Sequence, residues 1–526
     1  MTTRYLTLAL WLGVACSSPP AGYDLLLVGG EVIDGTGAPR FRADVGLRGD
    51  RIVTVSRTPL AESLATRVLD ATGRVVAPGF VDLHAHLDPL LELPEAVSHL
   101  RQGVTTALGG PDGGGPLPLG FWLDTLEAVG IGLNVGYLVG HNRVRREVMG
   151  LDNRGPSDGE LARMEALVAE AMDDGAWGLS TGLKYLPGTF ATTDEIVALA
   201  TVAARAGGIY TSHLRDEGLG LIESVAEAIE IGRRAGIPVV LTHHKVVGQP
   251  MWGASRRTLA MVDSARAAGV DVMMDQYPYT ATYTGITVLI PAWGYAGGRQ
   301  AFLDRLEVPA LHDSIVRGIV FNIVNDRGGG DLGRVQLALV PWDRSLEGKT
   351  LNDWARRKHL PSTPETGAEL VIEAVRRGGA SAIYHVLDED DVERIMRHPQ
   401  TMIASDGRLT EPGRGHPHPR WYGTFPRVLG HYVRDRHLFS LEEAVRRMSS
   451  MPATRMGLTD RGRIAQGLVA DLVVFDPDRV IDRSTFDDPH RYPAGIDYVI
   501  VNGTVAVDQG RPTGQRAGRI LRHRVR

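Results

Sequence analysis

Short apolar runs separated by glycine-rich turns open the chain. Asp24–Gly30, Ala43–Leu47 and Arg51–Val55 each read as a β-strand, and Ala470–Phe475 and Asp497–Gly503 look the same near the other end. Two β-rich ends around a different middle predict one small sheet module built from residues 23–76 and 467–526. Between them the period alternates between strand and helix. Gly103–Leu108, Gly208–His213, Ile237–His243, Val270–Asp275 and Thr401–Asp406 are apolar runs of strand length. Asp158–Asp174 has helical spacing, with Ser157 or Asp158 as its cap. Leu219–Ala235 is a helix stopped by Gly236, and Ser255–Ala268 is another. Ser440 with Glu443 predicts a capping box. This alternation predicts a (β/α)8 TIM-type barrel over residues 77–466. The rhythm breaks at about residues 290–385, which hold Trp342, Trp354 and several polar turns and read as an insertion near the barrel mouth.

Where the polar residues fall changes the picture. The run Ala77–Asp82 leads into His84-Ala85-His86, and residues two apart on a strand share a face, so both imidazoles can meet at one point. His213, His243 and Asp406 each end a separate apolar run. In such a barrel the C-terminal strand ends carry the chemistry. Four histidines and a carboxylate at one mouth form a metal site, and imidazole with carboxylate suits Zn²⁺. Lys184 lies in Gly178–Tyr185, another apolar segment entering a loop. A lysine beside dications must be neutral or modified; as a carbamate it becomes an anionic ligand able to bridge two ions. Spacing alone favours a solvent-facing loop lysine.

Composition sets outer limits. The 526 residues are 43% hydrophobic and 23% charged, with a net charge of −5, which describes a globular protein without the basic block that nucleic acid requires. Residues 1–22 differ: Arg4 precedes an apolar run from Tyr5 to Ala15 that is short for a membrane span, and Ser-Ser-Pro-Pro follows. They read as an export signal, which places the protein in the bacterial periplasm or cell envelope. The only cysteine, Cys16, follows Leu12-Gly13-Val14-Ala15, and this resembles the lipobox of bacterial lipoproteins, with Gly13 a departure from the usual leucine. Lipid on Cys16 would anchor the chain to a membrane; a plain secretory signal is the other reading. One cysteine excludes an intrachain disulfide framework.

Several segments together carry a family resemblance. They are Pro78–His86, Gly103–Thr106, Gly178–Gly188, Thr211–Gly218, Thr242–Lys245, Asp275–Ala281, Ala404–Gly407, His416–Arg420 and Gly423–Arg427. In this order the chain resembles the amidohydrolase superfamily and, within it, the N-acyl-D-amino-acid deacylase (D-aminoacylase) family. The resemblance implies zinc-dependent removal of the acyl group from N-acyl-D-amino acids, or from small peptides ending in a D-residue. It implies His84, His86, His213 and His243 as metal ligands, and Asp406 as metal contact and general base. His244 is the lesser candidate beside His243. Arg420 and Tyr279 match residues that hold the substrate carboxylate. Characterised members bridge their metals with a cysteine where this chain has Asp112. Two readings follow: carboxylated Lys184 is the bridge, which is preferred, or Asp112 is the bridge or a supporting group. His385, His416 and His418 read as loop or core histidines, and Arg215, Asp216 and Glu217 as an ion network behind His213. Two rival activities share the pattern. One is a cyclic-amide hydrolase of the hydantoinase or dihydroorotase kind. The other is a dipeptidase on L,D- or D,D-dipeptides, in which Asp112 holds the free α-ammonium of the substrate.

Overall fold

The computed structural model describes residues 22–524. The export segment expected over residues 1–22, with Cys16, lies outside the described residues save for Gly22. Eight parallel strands ring the centre: β1 (Phe80–Asp82), β2 (Val104–Gly109), β3 (Asn134–Tyr137), β4 (Gly178–Gly182), β5 (Ile209–His213), β6 (Val239–Leu241), β7 (Val272–Gln276) and β8 (Thr401–Ile403). Every residue of β2, β4, β5 and β7 is buried, as expected of parallel strands covered on both faces. Registers such as Thr106↔Asn134, Ser180↔Thr211 and Val240↔Met273 tie neighbours together. Two short extensions close the ring. Val139–Gly140, just beyond β3, pairs with β4, and Ala85–His86, just beyond β1, pairs with Gly407–Arg408, just beyond β8.

Local chemistry sets the helix limits. The helix Asp158–Asp173 begins at Ser157 with a reciprocal capping box to Glu160. Leu221–Ala235 ends at Gly236, whose φ of 66° is the left-handed conformation glycine adopts without penalty. At Ser440 only half of the expected box forms. Its hydroxyl accepts from the Glu443 amide, but the Glu443 carboxylate is drawn to Arg446 and Arg447.

The two ends of the described chain build one nine-stranded sheet, in which Val75–Pro78 pairs antiparallel with Leu472–Phe475. Alternation assigns its residues to two cores. Val76, Leu472 and Val474 pack with Leu25, Leu27, Val45 and Ile500 inside the sheet module, whereas Val75, Ala77, Val473 and Phe475 join the barrel core.

Between β7 and β8 lies the insertion. Thr282–Gly285, Val335–Leu339 and Ser381–Tyr384 form a three-stranded antiparallel sheet, backed by helices Pro309–Asn325 and Pro364–Arg376 and an apolar cluster of its own. It starts earlier than the sequence rhythm indicates, because Thr282–Gly285 already belongs to that sheet. This strand also forms one wall of the cavity at the barrel mouth.

Candidate metal centre and active site

The strand ends place their polar residues around one point. His84 follows β1 and is fully buried; His86 stands in the short extension beyond it; His213 ends β5; His243 comes two residues after β6. Asp406 follows β8, and Asp112 sits in the loop after β2. Asp112, His243 and Asp406 have positive φ values of 55°, 38° and 46°. Three non-glycine residues in this region at one site mark backbone strain held by the surrounding fold.

The distances have a specific character. Asp112 Oδ1 lies 3.4 Å from His84 Nε2, 3.3 Å from His243 Nε2 and 3.7 Å from His213 Nδ1. Asp112 Oδ2 lies 3.6 Å from His86 Nε2, and Asp406 Oδ1 lies 3.5 Å from His84 Nε2 and 3.1 Å from His86 Nε2. Most are long for charge-assisted hydrogen bonds. They match the edges of a tetrahedral ion site, which are about 3.3–3.6 Å for ligand bonds of about 2.0–2.2 Å. His84 Nε2, His213 Nδ1 and Asp112 Oδ1 are buried without hydrogen-bond partners. Buried polar atoms are normally satisfied, so three orphans aimed at one point fit a cation.

Charge agrees with this. Burial pushes Asp112 up, but His84 and His243 outweigh it and hold the carboxyl well below its ordinary range. Burial likewise raises Asp406, and Arg420 and His84 bring it down. Burial depresses His86, yet Asp112 and Asp406 raise it to about 10, so a proton sits where an ion would replace it. Burial lowers His213, against the pull of Glu217.

Glu217 stands behind the second histidine pair. Its Oε1 is 3.2 Å from His243 Nδ1 and its Oε2 is 3.7 Å from His213 Nε2. Lys245 donates to Glu217 and to the His243 carbonyl, and its amine lies 2.6 Å from His243 Nδ1. Arg327, carried by the insertion, reaches within 3.6 Å of Glu217 Oε2. Behind the first pair, Asp82 accepts from the backbone amides of His84 and Ser405.

The cluster opens into a cavity of about 540 Å³ lined by Tyr185, Lys245, Tyr277, Tyr283, Arg420 and Trp421 among others. Arg420 Nη2 is 3.0 Å from Asp406 Oδ2, while Arg420 Nε and the Tyr277 hydroxyl are buried and unpartnered. The Arg420 guanidinium lies 4.5 Å above the Tyr277 ring centroid.

Two expected residues are elsewhere. Lys184 donates to Asp326 at 3.1 Å and lies 3.9 Å from Asp216, outside the cluster, so it is not placed as a carboxylated bridge. The cause is local: β4 ends at Gly182, and the turn closed by Tyr185 N–H to Gly182 O sends Lys184 away and Tyr185 inward, its ring 4.5 Å from that of His213. Tyr279 is not on the cavity wall either. Its hydroxyl is 3.4 Å from Asp482. A tight turn, Tyr279 N–H to Tyr277 O, breaks the alternation that would give both tyrosines one face, and Tyr277 takes the cavity position. Asp112, read as a possible substrate contact, lies among the histidines. His244 turns to Thr258 at 2.8 Å, Arg215 pairs with Glu227, and His385, His416 and His418 bond to Gln336, Phe486 O and Ala281 O. Glu217 and Lys245 lie inside segments that carry the resemblance, next to His213 and His243 in sequence; Arg327 has no such signal.

Residues 67–287 and 343–507 match the Amidohydrolase family. An N-acyl-D-glutamate deacylase of Alcaligenes xylosoxydans xylosoxydans is 40% identical over 95% of this chain and 96% of its own length. The crystal structure of N-acyl-D-glutamate deacylase from Bordetella bronchiseptica, complexed with zinc and a phosphonate mimic of the tetrahedral intermediate, superposes with a TM-score of 0.81 at 36% identity, covering 95% of this chain and all of that one. A D-aminoacylase structure described for its binuclear metal centre gives 0.80 at 37%, with coverage of 95% and 100%. The chain belongs to the amidohydrolase family and, within it, to the N-acyl-D-amino-acid deacylase (D-aminoacylase) family.

Proposed function

We propose that the protein is a metal-dependent amide hydrolase that removes the acyl group from N-acyl-D-amino acids, or from small peptides ending in a D-residue, with water as nucleophile. One observation carries the reading: Asp406 presents one oxygen to His84 and His86 and the other to Arg420. A base at a ligand cluster and a receptor for a carboxylate thus meet at one residue. The substrate class rests on the relatives.

Zinc, when bound by these histidines and carboxylates, supplies an acidified water and a polarised carbonyl. Asp406, ionised and buried, takes the proton from the attacking water and delivers it to the departing amine nitrogen, ending again as a carboxylate. Arg420 Nε and the Tyr277 hydroxyl, both unpartnered, are placed to receive the α-carboxylate, with the Lys245 ammonium on the same cavity wall. Fixing that end orients the amide toward Asp406. Tyr185, Tyr283 and Trp421 exclude bulk water from the wall. The position of Lys184 away from the cluster removes the feature that favoured a cyclic-amide hydrolase with a lysine bridge.

The test is Asp406→Asn, assayed with N-acetyl-D- and N-acetyl-L-amino acids beside hydantoins. The expected result is a kcat lower by about 10²–10⁴-fold with the metal retained, and strong preference for the D-series. Near-normal kcat in the variant sinks the role of Asp406. Cleavage of hydantoins alone, or a metal-free protein that cleaves nothing, sinks the function.

A further inference from the structure

Asp112 belongs to two ligand groups at once. His84, His86, Asp112 and Asp406 place one donor atom each within 4.8 Å of one another, and so do Asp112, His213 and His243. Among the described residues it alone is shared. Its backbone holds it there. Asp112 is in the left-handed region and Gly113 follows at φ 72°; a Cβ on Gly113 would meet Asn142 Oδ1 at 2.2 Å, and one on Gly182 would meet Asp112 O at 2.1 Å. The loop is therefore pressed onto the end of β4, and the carboxylate has little freedom to leave the centre. A carboxylate offers about four lone-pair sites on two oxygens, enough to serve two cations about 3.5–4 Å apart.

We propose that Asp112 bridges a two-metal centre, one ion on His84, His86 and Asp406 and the other on His213 and His243. We further infer that this nitrogen–oxygen donor set favours the borderline ions Zn²⁺ and Co²⁺ over the soft Cd²⁺. The second part follows from the donors: imidazole and carboxylate contribute no soft sulfur ligand. The proposal rests on the hydrolase reading, but it decides what that reading leaves open, namely how many ions are held, by which bridge, and of which kind.

The experiment counts ions by mass spectrometry in the full-length protein after loading with zinc, cobalt or cadmium and dialysis, for wild type, Asp112→Asn, Asp112→Ala, Asp112→Cys and Lys184→Met. Circular dichroism reports folding, and Asp112→Asn, nearly isosteric, serves where the alanine variant unfolds. Two ions are expected in wild type and Lys184→Met, and one or none in Asp112→Asn. Cobalt-loaded Asp112→Cys should gain a thiolate-to-cobalt charge-transfer band in the near ultraviolet, and its zinc-over-cadmium preference should fall at least tenfold from that of wild type. One ion in wild type, two in Asp112→Asn, or loss of an ion from Lys184→Met alone overturns the bridge. Cadmium preferred by wild type overturns the selectivity. A protein that hydrolyses N-acyl-D-amino acids with a single ion defeats only this proposal; one that binds no ion defeats the hydrolase reading as well.

Discussion

The two histidine pairs are backed by different kinds of group. Behind His84 and His86 stand Asp82, pushed up to about 6 by burial, and His99, pushed down to about 4 by burial. Both give up charge readily, and their contact with the pair runs through the His84 backbone amide. Behind His213 and His243 stand full ions. Burial pushes Glu217 up, but Lys245 and the histidines hold it well below its ordinary range, and it faces the distal nitrogens of both rings. The first pair therefore takes its ring directions from strand geometry, and the second takes them from a buried carboxylate. A carboxylate on the far side of a ligating imidazole fixes its tautomer and raises its basicity.

The largest expected effect tests the neutral backing. His99 falls from 6.5 to about 4 in the fold, so between those values the folded protein binds fewer protons than the unfolded chain. Its contribution is complete above pH 6.5 and is lost as pH falls toward 4, in total about 3 kcal/mol. In denaturant titrations His99→Gln should flatten this acid limb; a wild-type slope would break the contrast on the first side.

Next comes Glu217→Gln. The ion at His213 and His243 should bind about 10–100-fold more weakly in chelator competition, with the ion at His84 and His86 little changed. Equal weakening of both would mean that the two sides share one support. The smallest effect concerns Arg420, whose guanidinium balances Asp406. Arg420→Lys should raise KM about tenfold by losing the planar fork, with ion content unchanged. A fall in kcat larger than the rise in KM would assign Arg420 to the basicity of Asp406 instead of to substrate binding.

What could be read without coordinates follows the same divide. His84, His86, His213, His243 and Asp406 each close an apolar run, and a barrel sends such residues to its mouth, so linear pattern and spatial role coincide. Glu217 reads as part of an ion network behind His213 and stands there, whereas Lys245 and Arg327 look in a sequence like solvated charges and are buried in the fold. Lys184 and Tyr279 misled because a single tight turn reverses a side chain, and the hydrogen bonds Tyr185 N–H to Gly182 O and Tyr279 N–H to Tyr277 O have no signature in composition. The barrel was legible from its period. The early start of the insertion was not, because nothing local tells that Thr282–Gly285 pairs with the distant Ser381–Tyr384 and not with the barrel.

The sheet shared by the two ends of the described chain has a consequence for synthesis. Val75–Pro78 leaves the ribosome long before its partner Leu472–Phe475 exists. At about 5–20 residues per second the wait is on the order of tens of seconds. During that interval Leu27, Val45 and Val76 present an apolar face that only late residues such as Leu472, Val474 and Ile500 can cover. The module is therefore completed only late in synthesis, and its earliest strands keep an uncovered apolar face until then.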